Sequence, residues 1–384
     1  MTPIRLDALR KRPERVVAGL MTGTSVDGID VALCRVAARR PRLLELLAAE
    51  SFPFDPELRR RLLAAHSADA SELSRLNRAL GLAYADAVAD LARRAGTRVE
   101  LVGSHGQTMA HEHGLATFQI GEAADLAERL ACPVVSDFRQ NDIAAGGCGA
   151  PLVPIVDLWL LARPRRGILA VNIGGISNLT ALPPGAANES VQGFDCGPGN
   201  MVLDELASRF TGGVERFDRD GRFAAAGRID QALLDDLLAD PLFRQPPPRS
   251  FGREQFGGPY VDRLLARRPP VSEGDWLDLL ATATELTVRA IHSAYRDFVA
   301  PSLRLDELVV SGGGARNPAL MRRLAVAFSP VPVRTTDTYG LPVDHKEAIA
   351  FALLASARVD GVPGNLPAVT GARRPVLLGK VTES

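Results

Sequence analysis

The feature that most constrains how this chain folds is a pattern of strand, glycine-rich turn and strand that occurs twice. The first copy spans residues 16–34 and the second spans residues 167–180. The turn residues Gly23 and Gly174 are 151 residues apart, which is the size of an ordinary domain. Repetition at this spacing predicts two similar α/β domains. The alternative interpretation is two unrelated hairpins.

Composition excludes several classes of partner. The 384 residues carry 45 basic and 45 acidic side chains, so no net charge draws the protein to nucleic acid or to an anionic membrane. No window approaches the ~20 apolar residues of a membrane span. Four scattered cysteines form neither a zinc motif nor a disulfide framework, which is typical of a reducing cytosol. We therefore expect a cytoplasmic protein with no nucleic-acid and no membrane partner.

Between the two copies, periodicity predicts further helices and strands. Apolar residues at three- and four-residue spacing over 58–95 predict two helices with a break near 67–71. A buried strand at 99–102 then delivers residues 104–108 at its carboxyl end, where α/β folds place ligand contacts. The polar, glycine-rich residues 137–151 are a candidate hinge.

A third glycine cluster differs from the first two because a helix is expected to follow it. An apolar strand at 308–311 leads into residues 312–314, after which Asn317 is a good N-cap and Pro318 suits the first helical position. The missing side chains at 312–314 would let a flat ring or a ribose lie against the backbone. The alternative is a close-packed connection between a strand and a helix.

The first turn has the composition of a phosphate-binding loop, but the residues around it differ from those of Rossmann and P-loop sites. β-branched residues at a period of two follow residues 23–28, whereas Rossmann and P-loop sites require a helix there. None of the three lysines lies in a glycine-rich loop, which excludes a Walker A site. Backbone N–H groups, two hydroxyls and the Asp27 carboxylate suit phosphate oxygens and a hydrated magnesium ion. The alternative is an ordinary Asp-Gly hairpin turn.

A second candidate acid is Asp195, which precedes a run rich in glycine and proline, with a helix expected near Asn200 as its N-cap. A lone carboxylate beside phosphates repels them, by roughly 4 kcal/mol at about 4 Å and an effective dielectric constant of 20. Taking a proton from a nucleophile is therefore its more useful role. The alternative is an aspartate that stabilises a turn.

Three other segments have ordinary structural interpretations that stay open. Residues 245–254 form an extended, proline-rich connector with two arginines, which we expect at the surface. A helix that begins near residue 344 has a polar first turn. This pattern fits a helix whose start faces a cleft, and it fits equally an amphipathic helix with a charged first turn. His105, at the end of a strand, is more typical of a hydrogen-bonded structural histidine than of a catalyst.

Taken in order along the chain, these segments resemble the anhydro-N-acetylmuramic acid kinase family. The resemblance runs from about residue 17 to 354 and lies in the motifs at 20–30, 104–108, 137–139, 149–154 and 194–200. It implies the α/β, actin-like fold of sugar kinases, heat-shock chaperones and actin, with two ribonuclease-H-like domains around an ATP cleft. We expect the domains to span residues 1–145 and 146–384, with the option that the last segment packs back on the first domain.

The same resemblance implies an activity. Members of the family open the 1,6-anhydro ring of anhydro-N-acetylmuramic acid with water and phosphorylate its 6-oxygen. The products are N-acetylmuramic acid 6-phosphate and ADP, in peptidoglycan recycling. ATP and Mg²⁺ are the implied cofactors, the sugar is the implied small-molecule partner, and a homodimer is the implied assembly.

Residue roles follow from the resemblance by position. It implies that Asp195 is the catalytic base, while the composition of the first turn makes Asp27 the expected metal ligand. Nucleotide contacts are implied for Gly23, Thr24, Ser25, Val26, Asp27, Gly28, Ile29, Asp30, Gly174, Gly175, Gly313, Gly314 and Asn317. Sugar contacts are implied for His105, Gln107, Arg139 and Glu347.

Three positions depart from the family pattern. Thr22 stands where serine is usual, Cys148 where glutamine is usual, and Cys196 where threonine is usual. Loss of the amide and hydroxyl groups at the two cysteines removes hydrogen bonds of roughly 0.5–1.5 kcal/mol each, enough to alter sugar affinity. The alternative function is therefore a simple hexose or amino-sugar kinase of the same fold, in which Asp195 deprotonates a hydroxyl. An ATP-driven binding protein without enzyme activity is a further alternative, and the sequence shows no added module for that role.

Overall fold

The computed structural model describes residues 3–23 and 25–384. The strands are β1 (Glu14–Met21), β2 (Gly28–Ala37), β3 (Arg42–Pro53), β4 (Leu101–Ser104), β5 (Gln107–Glu112), β6 (Ala116–Ile120), β7 (Val134–Ser136), β8 (Ile168–Ile173), β9 (Ile176–Leu182), β10 (Gln192–Pro198), β11 (Glu307–Ser311), β12 (Val333–Thr335) and β13 (Lys380–Thr382).

The helices are α1 (Leu6–Arg10), α2 (Pro56–Ala64), α3 (Ala70–Arg94), α4 (Ala123–Leu130), α5 (Gln140–Ala144), α6 (Val153–Leu161), α7 (Asn200–Phe210), α8 (Arg222–Ala226), α9 (Gln231–Leu238), α10 (Arg253–Phe256), α11 (Gly258–Arg267), α12 (Glu273–Ala294), α13 (Pro318–Ala327), α14 (Lys346–Asp360) and α15 (Pro367–Thr370). None of the helices in the described residues combines the length and the hydropathy that a membrane span needs.

The chain forms two compact units that differ from the predicted domains. The first unit comprises Met1–Leu160 and His345–Ser384, and the second comprises Leu161–Asp344. The sequence predicts a boundary after residue 145, but residues 137–151 lie wholly inside the first unit. The final segment of the chain also belongs to the first unit, which is the option that the sequence analysis left open.

Asp142 explains why the glycine-rich residues 137–151 stay in the first unit. Its fully buried carboxylate accepts hydrogen bonds from the Gly149 N–H at 2.8 Å, Asn365 Nδ2 at 2.6 Å and Thr370 Oγ1 at 2.7 Å. A buried carboxylate that lost these donors would be strongly destabilised. The segment is therefore fixed to the last 40 residues of the chain, rather than being a free connector.

The first unit is built on a six-stranded sheet with the order β13-β7-β4-β1-β2-β3. Strands β1, β2 and β3 are antiparallel neighbours, whereas β4 and β7 run parallel to β1. Helix α14 lies directly on this sheet. A Cβ atom on Gly19 or Gly103 would clash with the carbonyl oxygens of Ala348 and Phe351, so only glycine allows this close approach.

The second unit repeats the same arrangement with the order β10-β9-β8-β11-β12. Its first three strands are again antiparallel, and β11 and β12 again run parallel to the first of them. Three antiparallel strands followed by two parallel ones form the ribonuclease-H-like order that the resemblance implies. The internal repeat and the actin-like α/β fold class are therefore confirmed, and the two hairpins are not unrelated.

Candidate functional site

The loop between β1 and β2 is not the ordinary Asp-Gly hairpin turn considered from the sequence. Met21 pairs with Asp30, and neither Asp27 nor Gly28 has a positive φ, which a two-residue turn of that type requires. Val26 instead has φ +54°, and its N–H donates to the Gly23 carbonyl at 3.1 Å. A β-branched residue rarely adopts this left-handed conformation. Thr24, an expected nucleotide contact, lies outside the described residues.

An arginine that the sequence analysis did not single out holds this loop. Arg59, from α2, donates from Nε to the Val26 carbonyl at 2.8 Å and from Nη2 to Asp27 Oδ1 at 3.2 Å. The Asp27 side chain is 69% exposed, so its second oxygen remains open to solvent. The loop thus combines a strained backbone, an exposed carboxylate and a fixed guanidinium.

The remaining members of the first motif have structural contacts. A Cβ atom on Gly28 would lie 2.8 Å from the Phe52 carbonyl oxygen, so this position requires glycine, and Ile29 is buried. Asp30 Oδ1 accepts a hydrogen bond from Ser51 Oγ at 2.5 Å, and the same hydroxyl lies 3.2 Å from His345 Nε2. Asp30 is therefore part of a polar network at the end of the hairpin.

A magnesium ion at this loop would depend on its ligand phosphates. Within residues 3–23 and 25–384, no group of three or more His, Cys, Asp or Glu side chains could hold a metal ion. Magnesium commonly uses only one or two carboxylates together with phosphate oxygens and water. The exposed Asp27 carboxylate fits that pattern.

Two of the expected sugar contacts are bonded to each other. Arg139 donates from Nε and Nη2 to Nε2 of His105, at 3.1 and 2.9 Å, and from Nη1 to the Gly149 carbonyl at 2.9 Å. Because Nε2 of His105 accepts, its Nδ1 carries the proton and donates to the Gly106 carbonyl at 2.8 Å. Both ring nitrogens of His105 are thus used by the protein, and His105 acts through Arg139.

Burial keeps this histidine neutral. Desolvation, helped by the neighbouring Arg139 charge, lowers the pKa of His105 to about 3. Burial likewise lowers the pKa of Arg139 to about 10, so the guanidinium is still charged at neutral pH. No carboxylate in the described residues forms an ion pair with Arg139, and its remaining N–H groups are available to an anion.

Of the other two expected sugar contacts, Gln107 has a buried polar atom that needs a partner, and Glu347 has a carboxyl group with a raised pKa. The side chain of Gln107 is buried, and its Oε1 has no hydrogen-bond partner among the described residues; the same holds for the hydroxyl of Ser104. Burial raises the pKa of Glu347, against the opposing charges of Lys346 and Arg139. His105, Gln107, Arg139 and Glu347 all belong to the first unit.

In the second unit, Gly174 and Gly175 accept hydrogen bonds from the first N–H groups of a helix. Their carbonyls accept hydrogen bonds from the N–H groups of Gly199, Asn200 and Met201, at 2.9, 2.7 and 3.1 Å. Helix α7 therefore begins at Asn200 with Gly199 as its N-cap, so the prediction of Asn200 as the cap is wrong. The Asn200 side chain instead donates to the Ile173 carbonyl at 3.2 Å.

The third glycine cluster packs against the end of β8. A Cβ atom on Gly314 would clash with Ile173, whereas one on Gly313 would meet only Asn200 Nδ2 at 3.4 Å. Asn317 caps α13 as predicted, because its Oδ1 accepts from Ala319 and Leu320. A cavity of about 350 Å³ lies here, lined by Asn200, Leu203, Asp204, Phe217, Asp218, Asp220, Gly313, Arg316 and Asn317.

Asp195 lies on β10 beside a β-bulge. Residues 195 and 197 pair with consecutive residues of β9, which leaves Cys196 as the extra residue. Both hydrogen bonds to the carboxylate reach Oδ2, from the Phe251 N–H at 2.7 Å and from Ser250 Oγ at 3.1 Å. No donor among the described residues reaches Oδ1. Burial raises the pKa of Asp195 to about 6, although these two hydrogen bonds oppose the shift.

The prediction that residues 245–254 only cross the surface is wrong for Arg249. This side chain is buried and donates to the carbonyl oxygens of Asp195 at 2.7 Å, Phe243 at 3.0 Å and Gln245 at 2.8 Å. Its guanidinium also lies over the rings of Phe194, Phe251 and Phe298. The segment therefore supplies both the anchor and the hydrogen-bond donors of Asp195, and no local sequence signal marks Ser250 or Phe251.

The two cysteines that depart from the family pattern occupy different environments. Cys196 is fully buried and packs in the hydrophobic core of the second unit. Cys148 is partly buried, next to the Gly149 carbonyl that accepts from Arg139. Cys148 therefore adjoins, in sequence, a residue that is hydrogen-bonded to an expected sugar contact.

Comparison with known proteins gives a consistent result. The sequence model of one family, described as Anhydro-N-acetylmuramic acid kinase, matches residues 15–384. Proteins named anhydro-N-acetylmuramic acid kinase are 41% identical in Caldanaerobacter subterraneus subsp. tengcongensis and 44% identical in Salinibacter ruber, over 98% of this chain and 99% and 98% of theirs. A protein of the same name from Gloeobacter violaceus is 45% identical over 95% of this chain and 98% of its own.

Proposed function

Because this chain belongs to the anhydro-N-acetylmuramic acid kinase family, we propose that it opens the 1,6-anhydro ring of anhydro-N-acetylmuramic acid with water and phosphorylates the 6-oxygen. The chain is an enzyme, since the family consists of kinases. Its phosphoryl donor is ATP. The products are N-acetylmuramic acid 6-phosphate and ADP, and the reaction serves peptidoglycan recycling in the cytoplasm.

The observation that carries this proposal is that only one carboxylate oxygen of Asp195 accepts hydrogen bonds from the described residues. One carboxylate oxygen is fixed by Ser250 and Phe251, while the other has no donor among the described residues. A pKa of about 6 leaves the group mostly ionised at neutral pH, yet basic enough to accept a proton. In the proposed reaction, Asp195 takes a proton from the water that attacks the anomeric carbon.

A single carboxylate is sufficient for this reaction. An inverting glycosidase normally needs a second carboxylic acid to protonate the leaving oxygen. Here the leaving 6-oxygen attacks the γ-phosphate of ATP instead, so a phosphoryl group takes the place of the proton. Phosphoryl transfer itself depends mainly on positioning and charge neutralisation.

Arg139 supports an anionic sugar as the substrate. The partly buried guanidinium of Arg139 forms no direct ion pair among the described residues, and only the more distant charge of Glu347 favours its cationic form, so a ligand carboxylate would supply a direct counter-charge. N-acetylmuramic acid carries a lactyl carboxylate, which neutral hexoses lack. We assign that carboxylate to Arg139, and the side chains of Gln107, which is buried, and Glu347, which is partly buried, to polar groups of the sugar.

We assign nucleotide binding to the residues of the glycine-rich motifs. The first motif, from Gly23 to Asp30, would contact the phosphates, and Asp27 would hold Mg²⁺, which neutralises phosphate charge when bound. In the second unit, the cavity at Gly313 and Asn317 has a half-exposed aromatic wall in Phe217, suited to a flat base. Gly174 and Gly175 are assigned to the nucleotide site as well, and their carbonyls hold the start of α7.

The test is an assay with Mg-ATP and the anhydro sugar in oxygen-18 water. A 6-phosphorylated product with the label at the anomeric oxygen is expected, with a parallel incubation of finished product to measure exchange through the open-chain sugar. Asp195→Asn is expected to bind ATP but lose turnover, whereas Asp262→Asn, at an exposed acid of the same unit, is expected to behave as wild type.

Other outcomes would contradict the proposal. Phosphorylation of free N-acetylmuramic acid without turnover of the anhydro sugar would favour the simple sugar kinase. Near-full activity of Asp195→Asn would remove Asp195 from the role of base.

We also propose a homodimer, which light scattering of the purified protein would test directly.

A further inference from the structure

The loop from Gly23 to Gly28 lacks the lysine that many phosphate-binding loops use. The three lysines of the chain are at positions 11, 346 and 380, well away from this loop in sequence. Among the described residues, the guanidinium of Arg59 contacts the loop, through the Val26 carbonyl and the Asp27 carboxylate. Arg59 has no role in the reaction described so far.

Arg59 differs from the arginines that follow it on α2. Arg60 pairs with Glu57 one turn earlier in the same helix, and Arg61 pairs with Glu72 of α3. Arg60 is largely exposed, as ordinary surface pairs are, whereas the Arg59 side chain is 25% exposed. Arg59 alone of these three reaches the glycine-rich loop.

The contact falls at the strained residue of the loop. Val26 is buried, with φ +54°, and a β-branched residue holds that conformation only when its surroundings enforce it. The hydrogen bond from Arg59 Nε fixes the direction of the Val26 carbonyl, and therefore the orientation of the peptide that carries the Asp27 N–H. The ion pair also offsets the negative charge of Asp27, which would repel incoming phosphate.

We propose that Arg59 is a positioning residue for ATP binding: it holds Val26 in the left-handed conformation and fixes Asp27, so that the loop is preorganised for phosphates. This inference rests on the proposed function, because it takes the loop as the phosphate site. Preorganisation lowers the cost of binding, so Arg59 acts on ATP affinity before any chemistry takes place.

The first experiment measures the loop without nucleotide. Hydrogen exchange of the amides at 25–28 is compared in wild type, Arg59→Ala and the matched control Arg60→Ala, with circular dichroism to confirm folding. Arg59→Ala is expected to speed exchange of these amides by about tenfold or more, and Arg60→Ala to leave it unchanged. Unchanged exchange in folded Arg59→Ala would overturn the proposal.

The second experiment measures ATP affinity by calorimetry in a double-mutant cycle with Val26→Gly. Arg59→Ala is expected to weaken Mg-ATP binding by about 10- to 100-fold in the wild-type background. Glycine adopts a left-handed conformation without strain, so the loss should shrink several-fold in the Val26→Gly background. An equal loss in both backgrounds would show that Arg59 contacts the phosphates directly and does not position the loop.

Arg59→Lys gives a further test, because lysine keeps the charge but cannot bond the carbonyl and the carboxylate in the same fixed geometry. We expect Arg59→Lys to have an intermediate affinity for ATP. Full wild-type affinity would show that the positive charge alone is sufficient, and would overturn the positioning role. The two proposals fail in distinguishable ways. If wild type does not bind ATP, the proposed function fails, while hydrogen exchange still decides whether Arg59 orders the loop.

Discussion

Arg249 and Asp195 are joined through their backbones as well as through one side chain. Nε of Arg249 donates to the Asp195 carbonyl at 2.7 Å, and the Asp195 N–H donates to the Arg249 carbonyl at 3.3 Å. The residues after Arg249 then supply both hydrogen bonds to the Asp195 carboxylate. A segment 54 residues away in sequence therefore fixes the proposed base.

Arg249→Ala is expected to lower both stability and turnover. The substitution leaves buried carbonyl oxygens without donors and removes the cation from three aromatic rings, which should cost about 2–4 kcal/mol in the free energy of unfolding. Urea unfolding and kcat measure the two effects. Arg244→Ala, at an exposed position just before the same connector, should change stability by less than about 0.5 kcal/mol. Similar losses in both variants would contradict this account.

The activity should depend on pH through Asp195. The base must be ionised, so kcat/KM is expected to fall about tenfold per pH unit below a midpoint near 6. Ser250→Ala removes a hydrogen bond that favours the ionised form, and should move the midpoint upward by about half a unit to one unit. A pH–rate profile of both proteins measures the shift. A midpoint that moves downward would be inconsistent with the bonding seen at Oδ2.

Asp195→Asn should stabilise the protein at pH 8. The folded-state pKa of Asp195 is raised, so its favourable contribution is complete below the unfolded value near 4 and is lost as the pH rises through about 6. Asparagine removes the buried charge, and the free energy of unfolding at pH 8 should rise by about 1–2 kcal/mol relative to wild type. The gain should vanish near pH 3.5. A variant that is less stable at pH 8 would refute the assignment of a raised pKa to this carboxyl.

His105→Gln should weaken sugar binding without affecting ATP binding. Because His105 is neutral and holds Arg139, its loss frees the guanidinium to change direction, and KM for the sugar should rise about tenfold. The variant should not alter the pH profile between 5 and 9, since His105 does not titrate there. His66→Gln, on an exposed histidine of the same unit, is the control. An altered affinity for ATP would indicate a wider structural effect.

The two unusual cysteines should respond differently to restoration of the family residue. Cys196→Thr places a hydroxyl in a hydrophobic core, so it should cost about 1–3 kcal/mol of stability and leave KM for the sugar within about twofold. Cys148→Gln lies beside the Gly149 carbonyl and should change KM with little effect on stability. Kinetics and urea unfolding of both variants separate these outcomes. A large change of KM in Cys196→Thr alone would reverse the assignment.

Sequence patterns were sufficient where a local signal had one physical meaning. The alternation of apolar residues after Gly28 is typical of a strand, and a strand is found there. The Asn317-Pro318 pair predicts a helix start, and Asn317 is indeed the N-cap and Pro318 the first helical residue. The duplicated hairpin indicated the fold because two matching patterns at domain-sized spacing are typical of two copies of one domain.

Other features depend on contacts that no local pattern encodes. Strand β3 is rich in leucine, alanine and glutamate, which favour helix, yet it pairs along its length with β2. Arg249 resembles a surface arginine in a proline-rich connector, and only the fold reveals the carbonyl oxygens around it. The role of Arg59 is equally invisible, because Val26 shows its strain only in three dimensions.

The packing of α14 on β1 and β4 sets an order of events during synthesis. Residues 161–344 are contiguous, so the ribosome synthesises the whole second unit before the helix that covers Gly19 and Gly103. The face of the first sheet at Gly19 and Gly103 therefore stays uncovered until α14, which follows the whole second unit along the chain, has been synthesised. In a nascent chain, this face of the first sheet is therefore exposed to contacts with other chains while the second unit is being made.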